Sequence, residues 1–63
     1  MEYKYRIFIN GAFFNGSNNY NFAMNRGLAI AMYKNLNFVN TKSKNIIDKW
    51  SNGKEIVIIT KQN

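Results

Sequence analysis

The chain contains no cysteine and no histidine, and it carries only three carboxylates, Glu2, Asp48 and Glu55. Without cysteine no disulfide can staple a small fold, and without cysteine or histidine no ordinary zinc site can be built. General acid–base and nucleophilic catalysis draw on a positioned His, Cys, Ser or carboxylate with a tuned partner. The three acids are scattered along the chain, and no spacing pairs them. The expectation is a non-enzymatic protein with no metal and no cofactor. Long apolar runs are missing as well: nothing approaches the roughly 20 consecutive apolar residues that a membrane-spanning helix needs. The first residues alternate Tyr3, Lys4, Tyr5, Arg6 instead of leading a basic cluster into an apolar block, so no secretory leader is read there and the cytoplasm is the expected location.

What is present is apolar, aromatic and basic. The 63 residues make one domain, 1–63, with 46% apolar residues, ten of them aromatic. A chain of this size buries only about 60% of the surface that its unfolded form exposes, so self-association is the staple that remains. Nine Lys and Arg against three acids leave a net charge of +6. That balance suits a polyanionic partner, whether nucleic acid or the acidic surface of a protein or nucleoprotein complex, although lysine also serves solubility alone. Twelve asparagines, with many Lys, Ile and Tyr, belong to AT-rich codons. Composition and brevity together suggest a phage or other mobile element in a bacterial host.

Tyr3 to Ile9 alternates in chemistry and leads into Asn10-Gly11, a pair that tolerates the positive φ of a type I′ hairpin turn. Pairing Ile9 with Ala12 sets Phe8 opposite Phe13 and Ile7 opposite Phe14. One face then carries Tyr5, Ile7, Ile9, Ala12 and Phe14, read as core. The other carries Lys4, Arg6, Phe8 and Phe13, basic and aromatic together. From Tyr20 or Asn21 to about Leu36 an Ala- and Met-rich run predicts a long helix behind a capping Asn. Its broad inner face is read as Met24, Leu28, Ala31, Met32 and Leu36, with Arg26 and Lys34 toward solvent. Gly27 within the helix implies close approach of another element, and the small-residue row Ala23, Gly27, Ala31 serves either packing within the chain or contact between copies. A homodimer through Ala23, Gly27 and Ile30 is the self-association expected. After Thr41 or Ser43 as a cap, Ile46, Ile47 and Trp50 fit a short helix stopped by Asn52-Gly53. A strand there, turned through Asn52-Gly53, would set Lys49 against Ile56 and Asp48 against Val57, which disfavours it. Glu55 to Thr60 is the clearest strand, apolar on both faces and therefore central. The predicted fold is α+β with order ββααβ, one small sheet backed by helices.

Two stretches suggest ligands. Gly11-x-x-x-x-Gly16-Ser17 sits between a strand and a helix as a phosphate loop would, but Ser17 and Asn18 follow the second glycine where such a loop needs lysine. Ile7-Phe8-Ile9 with Asn10 is similar to the first short motif of RNA-recognition domains, in which a sheet aromatic stacks on a base. The second motif of those domains is absent, and 63 residues are too few for their fold. The residues expected to meet a partner are Lys4, Arg6, Phe8, Phe13, Arg26, Lys34, Lys42, Lys44 and Lys49. If the second helix covers Phe8 and Phe13 they are core; if it does not, they form a stacking surface. Trp50 is read as a core anchor. Two functions follow: a phage accessory protein that inhibits or regulates a host nucleic-acid-handling or defence complex by docking on it, or direct binding of DNA or RNA by the basic-aromatic hairpin face. A membrane-surface role fits poorly with the strands and the weakly segregated charge of the helix.

Overall fold

The computed structural model describes residues 3–41 and 43–62. Its elements are β1 (Tyr5–Ile9), β2 (Ala12–Ser17), α1 (Tyr20–Tyr33), β3 (Asn37–Phe38), β4 (Ile46–Ser51) and β5 (Ile56–Lys61). The strands form one antiparallel sheet in the order β2-β1-β5-β4-β3, and α1 packs across one face of it. The α+β class therefore stands, with a single helix among the described residues in place of the two expected.

The first turn follows from its residues. Asn10 and Gly11 both take positive φ, 52° and 85°, as a type I′ turn requires. Asn10 also ties the hairpin tip to β5: its amide donates to the Ile56 carbonyl at 2.8 Å and its Oδ1 accepts from the Ile56 amide at 2.9 Å. Ile9 pairs with Ala12 and Phe8 with Phe13, as the turn dictates. Beyond that pair a bulge shifts the register so that Ile7 faces Asn15. Phe14 is the extra residue, and a bulge re-aims the side chain it inserts. Tyr5, Ile7 and Ile9 join the core as expected, whereas Ala12 and Phe14 are exposed.

The long helix begins where Asn19, in extended conformation, accepts a hydrogen bond from the Phe22 amide at 3.1 Å through its Oδ1. It stops earlier than Leu36 because Asn35 takes the left-handed conformation, φ 58°. The Leu36 amide then reaches the Ala31 carbonyl at 2.8 Å and the Asn35 amide reaches that of Met32 at 3.2 Å, a Schellman ending with asparagine where glycine is usual. The helix presents Ala23, Gly27 and Ala31 to the sheet, and all three are buried. Leu28 and Met32, expected inside, are exposed. The reason is distance. A Cβ on Gly27 would lie 3.0 Å from Ile59 Cδ1 and 3.2 Å from Trp50 Cζ3, so only the small-residue row lets the helix settle onto the strands. That row packs within the chain: Ala23 and Gly27 face the sheet and are buried, and Ile30 packs partly buried against the same core.

The segment expected as a second helix is strand β4. Its partner register is Trp50 with Val57, Lys49 with Ile58 and Asp48 with Ile59, two residues away from the pairing that a two-residue turn would impose. The loop is four residues, Asn52 to Glu55. Asn52 Oδ1 accepts from the amides of Lys54 at 2.9 Å and Glu55 at 2.8 Å, and Gly53 takes φ 89°. The supposed helix cap is a turn: Ser43 Oγ accepts from the amides of Asn45 and Ile46 at 3.3 and 3.5 Å, contacts that a cap shares, but a strand follows. Along β4 the alternation is read correctly only once the sheet is present, with Asp48 and Trp50 beneath the helix, and a bulge between Ile46 and Asp48 absorbs Ile47. Trp50 is the core anchor expected, and Phe38 of the short edge strand packs edge-on against it at 5.9 Å between ring centroids. β5 lies at the centre of the sheet, with Val57 and Ile59 fully buried against the helix.

Candidate ligand-binding surface

With the second helix replaced by a strand, no helix or strand among the described residues lies over the sheet face opposite α1, although the Tyr3 side chain packs on it at Gly16. Strand alternation assigns its occupants: Ile7, Val57 and Ile59 point to the helix, so Arg6, Phe8, Ile58 and Thr60 point away. The pairings then line up across four strands. Phe13 of β2 pairs with Phe8 of β1, Phe8 with Ile58 of β5, and Ile58 with Lys49 of β4. At about 4.8 Å between strands this transverse row is about 14 Å long, aromatic at one end and cationic at the other. The two phenylalanine rings meet edge to face, 5.9 Å apart at 75°, and Phe13 is 54% exposed. The neighbouring row runs Gly16, Arg6, Thr60, Ile46. Arg6 donates to Gln62 Oε1, and the two, with Phe8, Asn45, Thr60 and Lys61, line an open depression.

Among the described residues the charged side chains of this face are cations. Asp48 is beneath the helix, where the Tyr20 hydroxyl donates to its Oδ2 at 2.7 Å. Glu55 sits in the β4–β5 loop and is ion-paired with Lys34 at 2.7 Å. Lys34 and its hydrogen bond hold the Glu55 carboxyl below its usual range. Among the described residues neither carboxylate belongs to the open face, which carries Arg6 and Lys49.

The expected partner-binding residues thus divide. Arg6, Phe8, Phe13 and Lys49 come together on the open face. Lys4 is exposed, its ammonium 5.8 Å from the Tyr5 ring centroid. Arg26 lies on the helix, in the other layer, with its guanidinium 5.1 Å from the centre of the Phe22 ring. Lys34 is engaged by Glu55, Lys44 is exposed in the β3–β4 connection, and Lys42 lies outside the described residues. The sequence reading missed Ile58, Thr60, Asn45 and Gln62; the period-2 alternation of β5 was the available signal for the first two. No helix among the described residues is long and apolar enough to cross a membrane. No family model, curated protein or solved structure matches this chain.

Proposed function

We propose that this chain is a non-enzymatic binding protein whose open sheet face holds single-stranded nucleic acid. One observation carries the reading: the row Phe13, Phe8, Ile58, Lys49 lies beside Arg6 on a sheet face that no other element covers and that no described carboxylate occupies. Exposed aromatics give bases a surface on which to stack, and cations on the same face meet the phosphates. A sheet face with no projecting helix favours splayed bases over a duplex, whose grooves are entered by a helix or a β-ribbon. Docking on a protein, the other expectation, finds its support on the opposite layer of the molecule and is argued below.

The test is fluorescence anisotropy with a labelled 12-nucleotide oligo(dT) at two salt concentrations. Affinity is expected to fall steeply with salt as counterions are released. Phe13→Ala, at an exposed position, is expected to weaken binding by about 1 to 3 kcal/mol for the lost stack. Lys49→Glu weakens it further, while Arg26→Glu, in the other layer, has the smaller effect. Absence of binding at low salt, or binding indifferent to Phe13→Ala and Lys49→Glu, would refute the proposal.

A further inference from the structure

The bulge that turns Phe14 out of the core leaves it facing α1 across an open groove. Phe14 and Phe22 form its walls, 48% and 52% exposed, and Asn25, Arg26, Ala29 and Ile30 complete it. Its volume is about 520 Å³, within the size range of ordinary ligand pockets. Solvent-exposed apolar surface continues along the helix through Met32 and Tyr33. The Arg26 guanidinium is held against the Phe22 ring, and no carboxylate among the described residues pairs with it.

We infer that this groove docks an acidic, apolar segment of another protein: an aromatic or aliphatic side chain entering between Phe14 and Phe22, with an adjacent carboxylate on Arg26. Charge decides among the occupants. α1 contains no acid, and its one charged residue is Arg26. A second copy of the chain would bring the same cation and the same net +6 to the groove. Nucleic acid binds through several neutralised phosphates, and one arginine among apolar walls provides a single contact. An anionic membrane attracts a polybasic helix face, which α1 lacks. Exposed phenylalanines beside an arginine are, by contrast, side chains enriched at protein–protein interfaces. This inference does not rest on the open sheet face.

Selection of random 12-residue displayed peptides on the intact protein tests it. Enriched peptides are expected to carry an aromatic or aliphatic residue next to Asp or Glu. They are expected to lose at least tenfold in affinity for Phe22→Ala, and selection on Arg26→Glu should shift the enriched charge to Lys or Arg. In amide NMR spectra a selected peptide should move Phe14, Phe22, Asn25 and Ala29 and leave Phe8, Phe13 and Lys49 in place. Because Phe22 and Arg26 are both exposed, circular dichroism is expected to show both variants folded; if Phe22→Ala is not, the charge swap at Arg26 decides alone. The inference is overturned by absence of enrichment, by peptides that bind Arg26→Glu equally well, or by peptides that the oligo(dT) displaces from the groove. A dimer in sedimentation that Phe22→Ala dissolves overturns it too, as does binding to phosphatidylserine vesicles that Phe22→Ala abolishes.

Discussion

Replacing Tyr20 by Phe removes one oxygen atom from the place where the buried Asp48 carboxylate finds its hydrogen bond. Asp48 is 9% exposed, and the Tyr20 hydroxyl donates to its Oδ2 at 2.7 Å. The ring itself packs against Tyr5, 5.5 Å between centroids, and a phenylalanine keeps that contact. The substitution therefore isolates the hydroxyl. A hydrogen bond to a charged group contributes about 1.5 to 3 kcal/mol, and stranding a buried carboxylate costs at least as much. Tyr20 is 37% exposed, so water can partly replace the lost donor. The expected loss is accordingly about 1 to 2 kcal/mol at pH 7, a fall in Tm of roughly 5 to 15 °C for a chain of this size. The same bond predicts a pH signature. The hydrogen bond to Asp48, then burial and the nearby negative charge, push the Tyr20 hydroxyl up from 10.0 to about 12. A group whose folded value is raised contributes stability below its unfolded value and loses it as pH climbs through the folded one. The wild-type advantage over Tyr20→Phe should thus be constant from about pH 7 to 10, where Asp48 is a carboxylate, and shrink between about pH 10 and 12. Urea titrations of both proteins across this range measure it, with Asp48→Asn completing a double-mutant cycle in which Tyr20→Phe costs less. A Tyr20→Phe variant within roughly 0.3 kcal/mol of wild type at pH 7 would refute the reasoning, since partnered buried carboxylates do not lose a donor without cost.

The helix-to-sheet distance is tested at Gly27, where alanine gains about 1 kcal/mol of helix propensity but brings its Cβ against Ile59 and Trp50, so the two effects are expected nearly to cancel. Valine at the same position adds atoms the contact cannot hold and should destabilise by about 1 to 3 kcal/mol in urea unfolding; a neutral valine would show that the close packing is not real. The bulge is tested by contrast: Phe14→Ser, at a half-exposed ring, should cost clearly less than Ile7→Ala, which should cost about 2 to 5 kcal/mol. A large loss at Phe14 would restore the unbulged register and return that ring to the core.

The parts of the fold legible in the sequence are those governed by neighbouring residues. Asn10-Gly11 dictates its own turn and the first two pairs beyond it. Asn19 caps the helix with its own side chain, and the β-branched run of β5 reads as a central strand because only two covered faces or two flanking strands suit it. The proposed binding residues of β1 and β2 follow from the same turn, since alternation from Asn10-Gly11 places Arg6, Phe8 and Phe13 on one face. Reading failed where a local signal served two structures. Ser43 makes a cap's hydrogen bonds in a turn, and Asn52-Gly53 is part of a four-residue loop. Ile46, Ile47 and Trp50 meet the spacing of a short helix while Asp48 and Trp50 meet that of a strand. The two-residue turn also made Asp48 look misplaced, because no sequence signal announced that Tyr20, 28 residues away, would hydrogen-bond to it.

By itself, then, the sequence determined the chemistry available to this protein: basic, aromatic, poor in acids and without thiol or imidazole. It also determined the hairpin, the helix and the central strand, because each rests on hydrogen bonds or steric limits within a few residues. Only the tertiary structure decided which sides of those elements stay in solvent. Whether Phe8 and Phe13 are covered depends on residues 46–51 joining the sheet, a choice made by pairing with β5 and by the Tyr20–Asp48 bond. Which side of an almost wholly apolar helix turns inward depends on how near the sheet can come, and Gly27 answers that only when Ile59 and Trp50 are opposite it. Long-range contact, the one thing a linear pattern does not hold, left one face of the sheet and one flank of the helix open.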